Sequence, residues 1–233
     1  MKGKVIGVMS FKGGVGKTIV TINIASALRK MGKDVLVVDG NFLSPNLHFY
    51  LGLLEPQRTL KEIIRENSLP ENAIYEHKSG IHLLPCNFYR NVNFQKFKEL
   101  IENLKEKYDY ILIDSGPSYT EEVVAILMSA NELIFIATPD YPTLAATVKA
   151  TKLAKYKNLK IRGIVINRKK KKNFELKKRE IEKTTGINVF GEIPEDNKLQ
   201  KSITKFSPVV WIYKRAKSSK AFLRIAKRID SSK

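Results

Sequence analysis

The sequence predicts an α/β fold: a doubly wound, mostly parallel sheet with helices on both faces. Short β-branched runs alternate with longer amphipathic stretches along all 233 residues. The runs are near-continuous in Val, Ile and Leu, as in strands buried on both faces. The first run also passes through a glycine-rich turn straight into a helical stretch.

In chain order the strand candidates are Val5–Ser10, Val35–Asp39, Ile81–Leu84, Tyr110–Asp114, Leu133–Thr138, Ile161–Asn167 and Val189–Ile193. Among the helices, Thr18–Met31 is closed by Gly32, a good C-cap. Phe94–Lys107 sets Phe94, Phe97, Leu100, Ile101 and Leu104 at helical spacing. Glu121–Ala130, Thr143–Lys155, Phe174–Thr184 and Lys198–Phe206 follow, and Ser219–Ile229 stacks Phe222, Leu223, Ile225, Ala226 and Ile229. No repeat or Pro/Gly-rich linker divides them, so a single domain is expected over residues 1–233. A hydrophobic content of 43% suffices to fill its core. No apolar run approaches the ~20 residues that cross a bilayer, and the N-terminus lacks a secretory pattern. Cys86 is the single cysteine, which excludes an internal disulfide and any Cys–Cys metal or redox pair. A cytoplasmic protein is expected.

The glycine-rich turn reads Ser10-Phe11-Lys12-Gly13-Gly14-Val15-Gly16-Lys17-Thr18. Its glycines let successive backbone N–H groups point at one phosphate cluster, and the following helix start adds partial positive charge. In such a loop Lys17 reaches the β- and γ-phosphates and the Thr18 hydroxyl ligates Mg²⁺. A fold of P-loop NTPase type is therefore expected. Phe11 stands where the general pattern has its first glycine, and Lys12 directly precedes the glycine pair.

Residues 12–18, Lys-Gly-Gly-Val-Gly-Lys-Thr, resemble the signature of the MinD/ParA family of deviant Walker A ATPases. The resemblance implies ATP and Mg²⁺ as cofactors, held by Gly13, Gly14, Val15, Gly16, Lys17, Thr18 and Ile19. It implies a homodimer formed on ATP binding, with Lys12 reaching across to the other subunit's phosphates. A lysine there supplies a point charge to the transferring phosphoryl oxygens. Further along, Asp39 resembles the first switch I carboxylate and Asp114 the Walker B carboxylate, both suited to a hydrated Mg²⁺, with Ser115-Gly116-Pro117-Ser118 as the second switch. Asn167 and Arg168 resemble the base-binding strand end, and an amide such as that of Asn167 can both donate to and accept from a purine edge. Ile193, Pro194 and Glu195 lie in a stretch like the late loop whose backbone lines the adenine pocket, and Pro208-Val209-Val210 also fits.

The sequence departs from that pattern at two positions. Asn41 stands where the family places a second switch I aspartate. A carboxamide orients water but accepts no proton, so slow hydrolysis is expected, with Lys12, Lys17 and Asn41 as the catalytic set. Ile19 replaces a threonine that touches the α-phosphate, a loss of ~1 kcal/mol that nucleotide binding survives.

Charge points to a partner. Residues 1–148 carry 16 basic and 16 acidic groups, whereas residues 149–233 carry 26 and 7, the whole net charge of +19. Non-specific DNA binding through residues 168–233 is the expected use of that excess, with the nucleoid as the surface acted on. Spatial positioning or DNA and cargo partitioning follows from the resemblance, with a protein adaptor as a further partner. The alternatives are an ATP-gated binding module with little hydrolysis, or a MinD-like positioner acting at a membrane or on a protein. The final helix has a basic face, Lys220, Arg224, Lys227 and Arg228, opposite its apolar one. Such a helix more often packs on a core than lies on lipid. The sequence ends four residues after Ile229, so no stable membrane anchor is expected.

Overall fold

A computed structural model describes residues 3–117, 121–156, 158–170 and 172–231. The strands are β1 (Lys4–Met9), β2 (Val35–Gly40), β3 (Tyr75–Glu76), β4 (His82–Leu84), β5 (Tyr110–Ser115), β6 (Glu132–Ala137), β7 (Lys160–Lys169) and β8 (Val189–Pro194). They form one sheet in the order β3-β4-β2-β5-β1-β6-β7-β8. Every pairing is parallel except that of the two-residue edge strand β3, which runs antiparallel to β4. The fold class read from the sequence is the one observed.

Alternation along the strands builds two cores. Val5, Leu36, Val38, Ile111 and Ile113 face one side, Ile6, Val8, Val35, Val37 and Leu112 the other. The first side is covered by α3 (Leu60–Glu66), α4 (Phe94–Leu104), α5 (Glu121–Ser129), α6 (Tyr141–Tyr156) and α7 (Lys178–Thr185). The second is covered by α1 (Lys17–Lys30), α2 (Leu47–Tyr50), α8 (Asn197–Ile203), α9 (Val209–Ile212) and α10 (Lys217–Asp230). The chain winds outward from β1 in both directions, so the carboxyl ends of β1, β2 and β5 meet at the crevice such sheets use for ligands.

Two helices are shorter than the periodicity suggests. The stretch expected to be helical from Phe174 becomes helix only at Lys178, because side chains and backbone claim its first residues. The Glu175 carboxylate accepts the Lys170 and Lys172 N–H groups at 2.7 and 3.1 Å, and the Leu176 N–H donates to the Pro139 carbonyl at 3.0 Å. The helix expected over Lys198–Phe206 ends at Ile203, and Phe206 takes a left-handed φ of 49° beyond it. Among the described residues, five short elements lie outside the sequence-based expectations: α2, α3, α9, β3 and a single 3-10 turn at Pro70–Ala73. The start of α3 did carry a signal, since Glu62 lies three residues after Thr59 and its carboxylate accepts the Thr59 N–H at 2.9 Å, a capping box.

The last helix packs on the core. Phe222, Ile225 and Ile229 of α10 are all buried against α1 and β8. Burial of such side chains is worth about 1.5–3 kcal/mol each, so this face is committed to the core rather than to lipid. Among the described residues, no helix is long and apolar enough to cross a membrane.

Candidate nucleotide site

The strand-to-helix turn between β1 and α1 is concave and open. Gly14 and Gly16 take left-handed φ values of 78° and 85°, which side chains resist. A Cβ added at Gly13 or Gly14 would meet nothing within 4 Å, so the inside of the loop is free to receive a ligand. A Cβ at Gly16 would lie 2.5 Å from the Asn167 amide nitrogen. That amide crosses from the end of β7 and donates to the Val15 carbonyl at 2.7 Å. Its other atom, Asn167 Oδ1, is buried and has no hydrogen-bond partner among the described residues. Asn167 thus pins the loop from outside and keeps one acceptor unspent.

Behind the loop, a cation meets two carboxylates. Parallel pairing of β2 with β5 sets Asp39 opposite Asp114. Lys17 Nζ lies 3.0 Å from Asp114 Oδ1 and also donates to the Ser115 carbonyl. The Thr18 hydroxyl donates to Asp114 Oδ2 at 2.6 Å. Asp39 accepts the Asn41 N–H at 3.1 Å and the Asn46 and Leu47 N–H groups at 3.0 Å each. Burial, reinforced by the neighbouring Asp114 charge, pushes the Asp39 carboxyl up to about 7, against the pull of those N–H groups and of Lys17. Two carboxylates crowded at strand ends are what a divalent cation would neutralise. The donors are all oxygen: Thr18, Asp39 and Asp114. This suits Mg²⁺, which takes one or two carboxylates plus phosphates and waters rather than a protein cage.

The mouth of the loop is a cleft of about 380 Å³ lined by Lys12, Gly13, Gly14, Val15, Arg168 and Glu195, among others. Lys12 Nζ lies 3.3 Å from Asp140 Oδ1, in the turn between β6 and α6, with both side chains about 40% exposed. Arg168 takes a left-handed φ of 57° at the end of β7. Glu195 donates its N–H to the Lys169 carbonyl at 3.0 Å and pairs with Lys170 at 3.2 Å. The Ile193 side chain is buried in the core and Pro194 lines a neighbouring cleft, so neither side chain faces the loop. Ile19 packs partly against the second core, as its apolar side chain dictates. The Asn41 amide is buried and donates to the Ser44 carbonyl at 2.5 Å, within its own loop. Ser118 of the second switch lies outside the described residues.

Two residues of the site were missed. Thr21 is fully buried, and its hydroxyl donates to the Lys17 carbonyl at 3.0 Å and to Asp114 Oδ1 at 3.1 Å. Its place four residues after Lys17, on the same helix face, was the available signal. Asp140 follows Thr138-Pro139 at a strand end, 128 positions from Lys12, and nothing local links the two.

Residues 6–209 match the family described as CobQ/CobB/MinD/ParA nucleotide binding domain. The chain belongs to that family. Within the CobQ/CobB/MinD/ParA family its structure is similar to the cell division ATPase MinD of Pyrococcus furiosus, with 30% identity, a TM-score of 0.91, and 99% of this chain and 100% of that one covered. It is also similar to the septum site-determining protein MinD of Pyrococcus horikoshii complexed with Mg-ADP: 29% identity, TM-score 0.89, coverage 98% and 96%. A third likeness is to the MinC:MinD cell division protein complex of Aquifex aeolicus: 27% identity, TM-score 0.90, coverage 98% and 97%. The chain is accordingly a MinD/ParA-like P-loop ATPase with ATP and Mg²⁺ as cofactors.

Proposed function

We propose that this protein dimerises around ATP·Mg²⁺, hydrolyses ATP slowly, and acts in spatial positioning or DNA and cargo partitioning, contacting DNA non-specifically through residues 168–233. The position of Lys12 carries the reading. Its ammonium sits at the rim of the phosphate loop, half exposed and held, among the described residues, by an exposed pair with Asp140, where a second copy can meet it. Tyr141 and Phe174 stand 70% and 81% exposed on the elements around that rim, the kind of aromatic surface an interface covers. Within one subunit the loop N–H groups and Lys17 bind the triphosphate. Asp39, Asp114 and Thr18 would hold the Mg²⁺, which would supply charge neutralisation for the phosphates. Asn41 orients the attacking water.

The unpartnered Oδ1 of Asn167 supports an adenine contact, because adenine offers an amino group to an acceptor and guanine offers a carbonyl at the same place. Asn167→Ala is expected to weaken ATP binding about tenfold and to erase a preference over GTP, measured by competition titration. A preference that persists in the variant removes Asn167 from base recognition.

Asn41 favours a second reading, an ATP-gated module with negligible turnover, since its amide is already engaged with Ser44. An aspartate there cannot donate to the Ser44 carbonyl and must turn away from it. Asn41→Asp is expected to raise steady-state turnover at least about tenfold by supplying a proton acceptor. Unchanged turnover means that Asn41 never limited the rate.

The charge asymmetry supports DNA as the surface acted on, with a cytoplasmic, nucleoid-associated location. Anisotropy of a labelled random duplex, read without nucleotide, with ADP and with ATP·Mg²⁺, tests it. Affinity should be tightest with ATP·Mg²⁺ and should fall with salt by a slope near −0.9 per phosphate contacted. Equal, weak binding in all three states moves the search to a protein adaptor. A complex of MinC with MinD shows that such partners exist for a related chain.

A further inference from the structure

Asp114 is buried near the end of β5, and among the described residues three side chains donate to it. Lys17 Nζ lies 3.0 Å from Oδ1, the Thr18 hydroxyl 2.6 Å from Oδ2, and the Thr21 hydroxyl 3.1 Å from Oδ1. All three belong to the start of α1. Two of them have another use, since Lys17 binds the triphosphate and Thr18 the Mg²⁺ in the function proposed above. Thr21 has no such use. It is fully buried one helical turn beyond Lys17, out of reach of a ligand in the loop.

The Thr21 hydroxyl has one proton and two acceptors within reach. The second acceptor is the Lys17 carbonyl, 3.0 Å away. A back-bond to the carbonyl four residues earlier is an ordinary habit of a helical threonine, and that carbonyl is also served by the helix ladder. A carboxylate is the stronger acceptor. While Lys17 pairs with Oδ1, the Thr21 proton is shared between the two. Once Lys17 is drawn to a phosphate, Oδ1 loses its cation, and a buried carboxylate left without a donor is costly. Asp39, opposite Asp114 in the strand register, only adds charge of the same sign. The Thr21 proton is then the donor that remains for Oδ1.

We infer that Thr21 is a positioning residue for nucleotide binding: its hydroxyl takes over Asp114 Oδ1 from Lys17 and so lowers the cost of giving Lys17 to the triphosphate. The inference rests on the reading of Lys17 and Asp114 above and adds to it a residue that never meets the nucleotide. A threonine that only back-bonds to its helix would matter equally in the free and the loaded protein. A threonine that replaces Lys17 at Asp114 matters more in the loaded one.

Calorimetric titration of the full chain with ATP·Mg²⁺, beside thermal melts of the nucleotide-free protein, tests this. Thr21→Val keeps the shape of the side chain and removes the hydroxyl. Its ATP·Mg²⁺ affinity is expected to fall about tenfold, the scale of one hydrogen bond to a charged group. Its nucleotide-free melt is expected to stay within about 3 °C of wild type, because Lys17 and Thr18 still serve Asp114 there. Thr21→Ser restores the hydroxyl and should bind within about threefold of wild type. In an Asp114→Asn background, Thr21→Val should change affinity by less than about threefold, since no buried charge is left to compensate. If Asp114→Asn does not fold, Thr21→Ser decides alone. A loss that Thr21→Ser fails to rescue, or that persists beside Asp114→Asn, would overturn the inference. So would a melt that falls while affinity holds, the mark of a helix back-bond and nothing more. Thr21→Val with wild-type affinity beside a weakened Lys17→Gln site would overturn the inference alone. Wild-type affinity in both variants would remove the reading of Lys17 on which it rests.

Discussion

Replacing Lys17 is expected to lower ATP affinity about a thousandfold. Lys17 is the cation of a buried cluster whose other charges are Asp39 and Asp114, and its ammonium lies 3.0 Å from Asp114. Without it, two carboxylates face a triphosphate with no fixed charge between them. A unit charge about 4 Å from another is worth roughly 4 kcal/mol in a partly screened site, and each 1.4 kcal/mol is tenfold in affinity. Lys17→Ala also strands Asp114, which is 1% exposed, and breaking a buried pair costs about 3–5 kcal/mol of stability. A binding defect in that variant is therefore confounded with unfolding. Lys17→Gln lessens the confounding, because its amide is a hydrogen-bond donor that can replace part of what the ammonium gives Asp114 and the Ser115 carbonyl. Calorimetric titration with ATP·Mg²⁺, beside a thermal melt of the same sample, should show a folded protein with a thousandfold weaker site. An affinity within tenfold of the wild type would mean that the loop N–H groups alone hold the phosphates.

This cluster was legible in the sequence because the residues that build it follow local rules. Glycines at 14 and 16 supply the left-handed backbone that side chains resist, and near-continuous apolar runs place Asp39 and Asp114 at strand ends. Once β2 and β5 are neighbours, the register does the rest. The less legible features are set by tertiary contacts. Lys12 meets Asp140 across 128 positions, Lys170 meets Glu195, and the segment from Phe174 abandons its helical periodicity because Glu175 and Leu176 find partners in the preceding loop and at Pro139. The role of α10 was ambiguous for the same reason. Its pattern is amphipathic whether it faces lipid or protein, and only the burial of Phe222, Ile225 and Ile229 decides.

Lys12 should behave in the opposite way to Lys17. Its pair with Asp140 is exposed, and such pairs contribute about 0–1 kcal/mol, so Lys12→Ala is expected to leave the fold intact and ATP affinity within about threefold of wild type. Turnover is expected to fall by about 10²–10³, the usual loss when one preorganised charge is withdrawn from a developing oxyanion. Affinity and rate thus separate, as they do for a group that acts only in the transition state. In the proposed dimer the lysine acts on the other subunit's nucleotide, so wild-type turnover per chain should rise with protein concentration and the variant's should not. Asp140→Asn supplies the control. An asparagine still caps α6 through the Thr143 N–H, now 2.9 Å from Asp140 Oδ1, but no longer holds the ammonium in place. Its turnover should equal or exceed that of the wild type, since the lysine is released rather than lost. A fall as large as that of Lys12→Ala would show that the Lys12–Asp140 pair itself matters within one chain, and normal hydrolysis by Lys12→Ala would remove the lysine from catalysis.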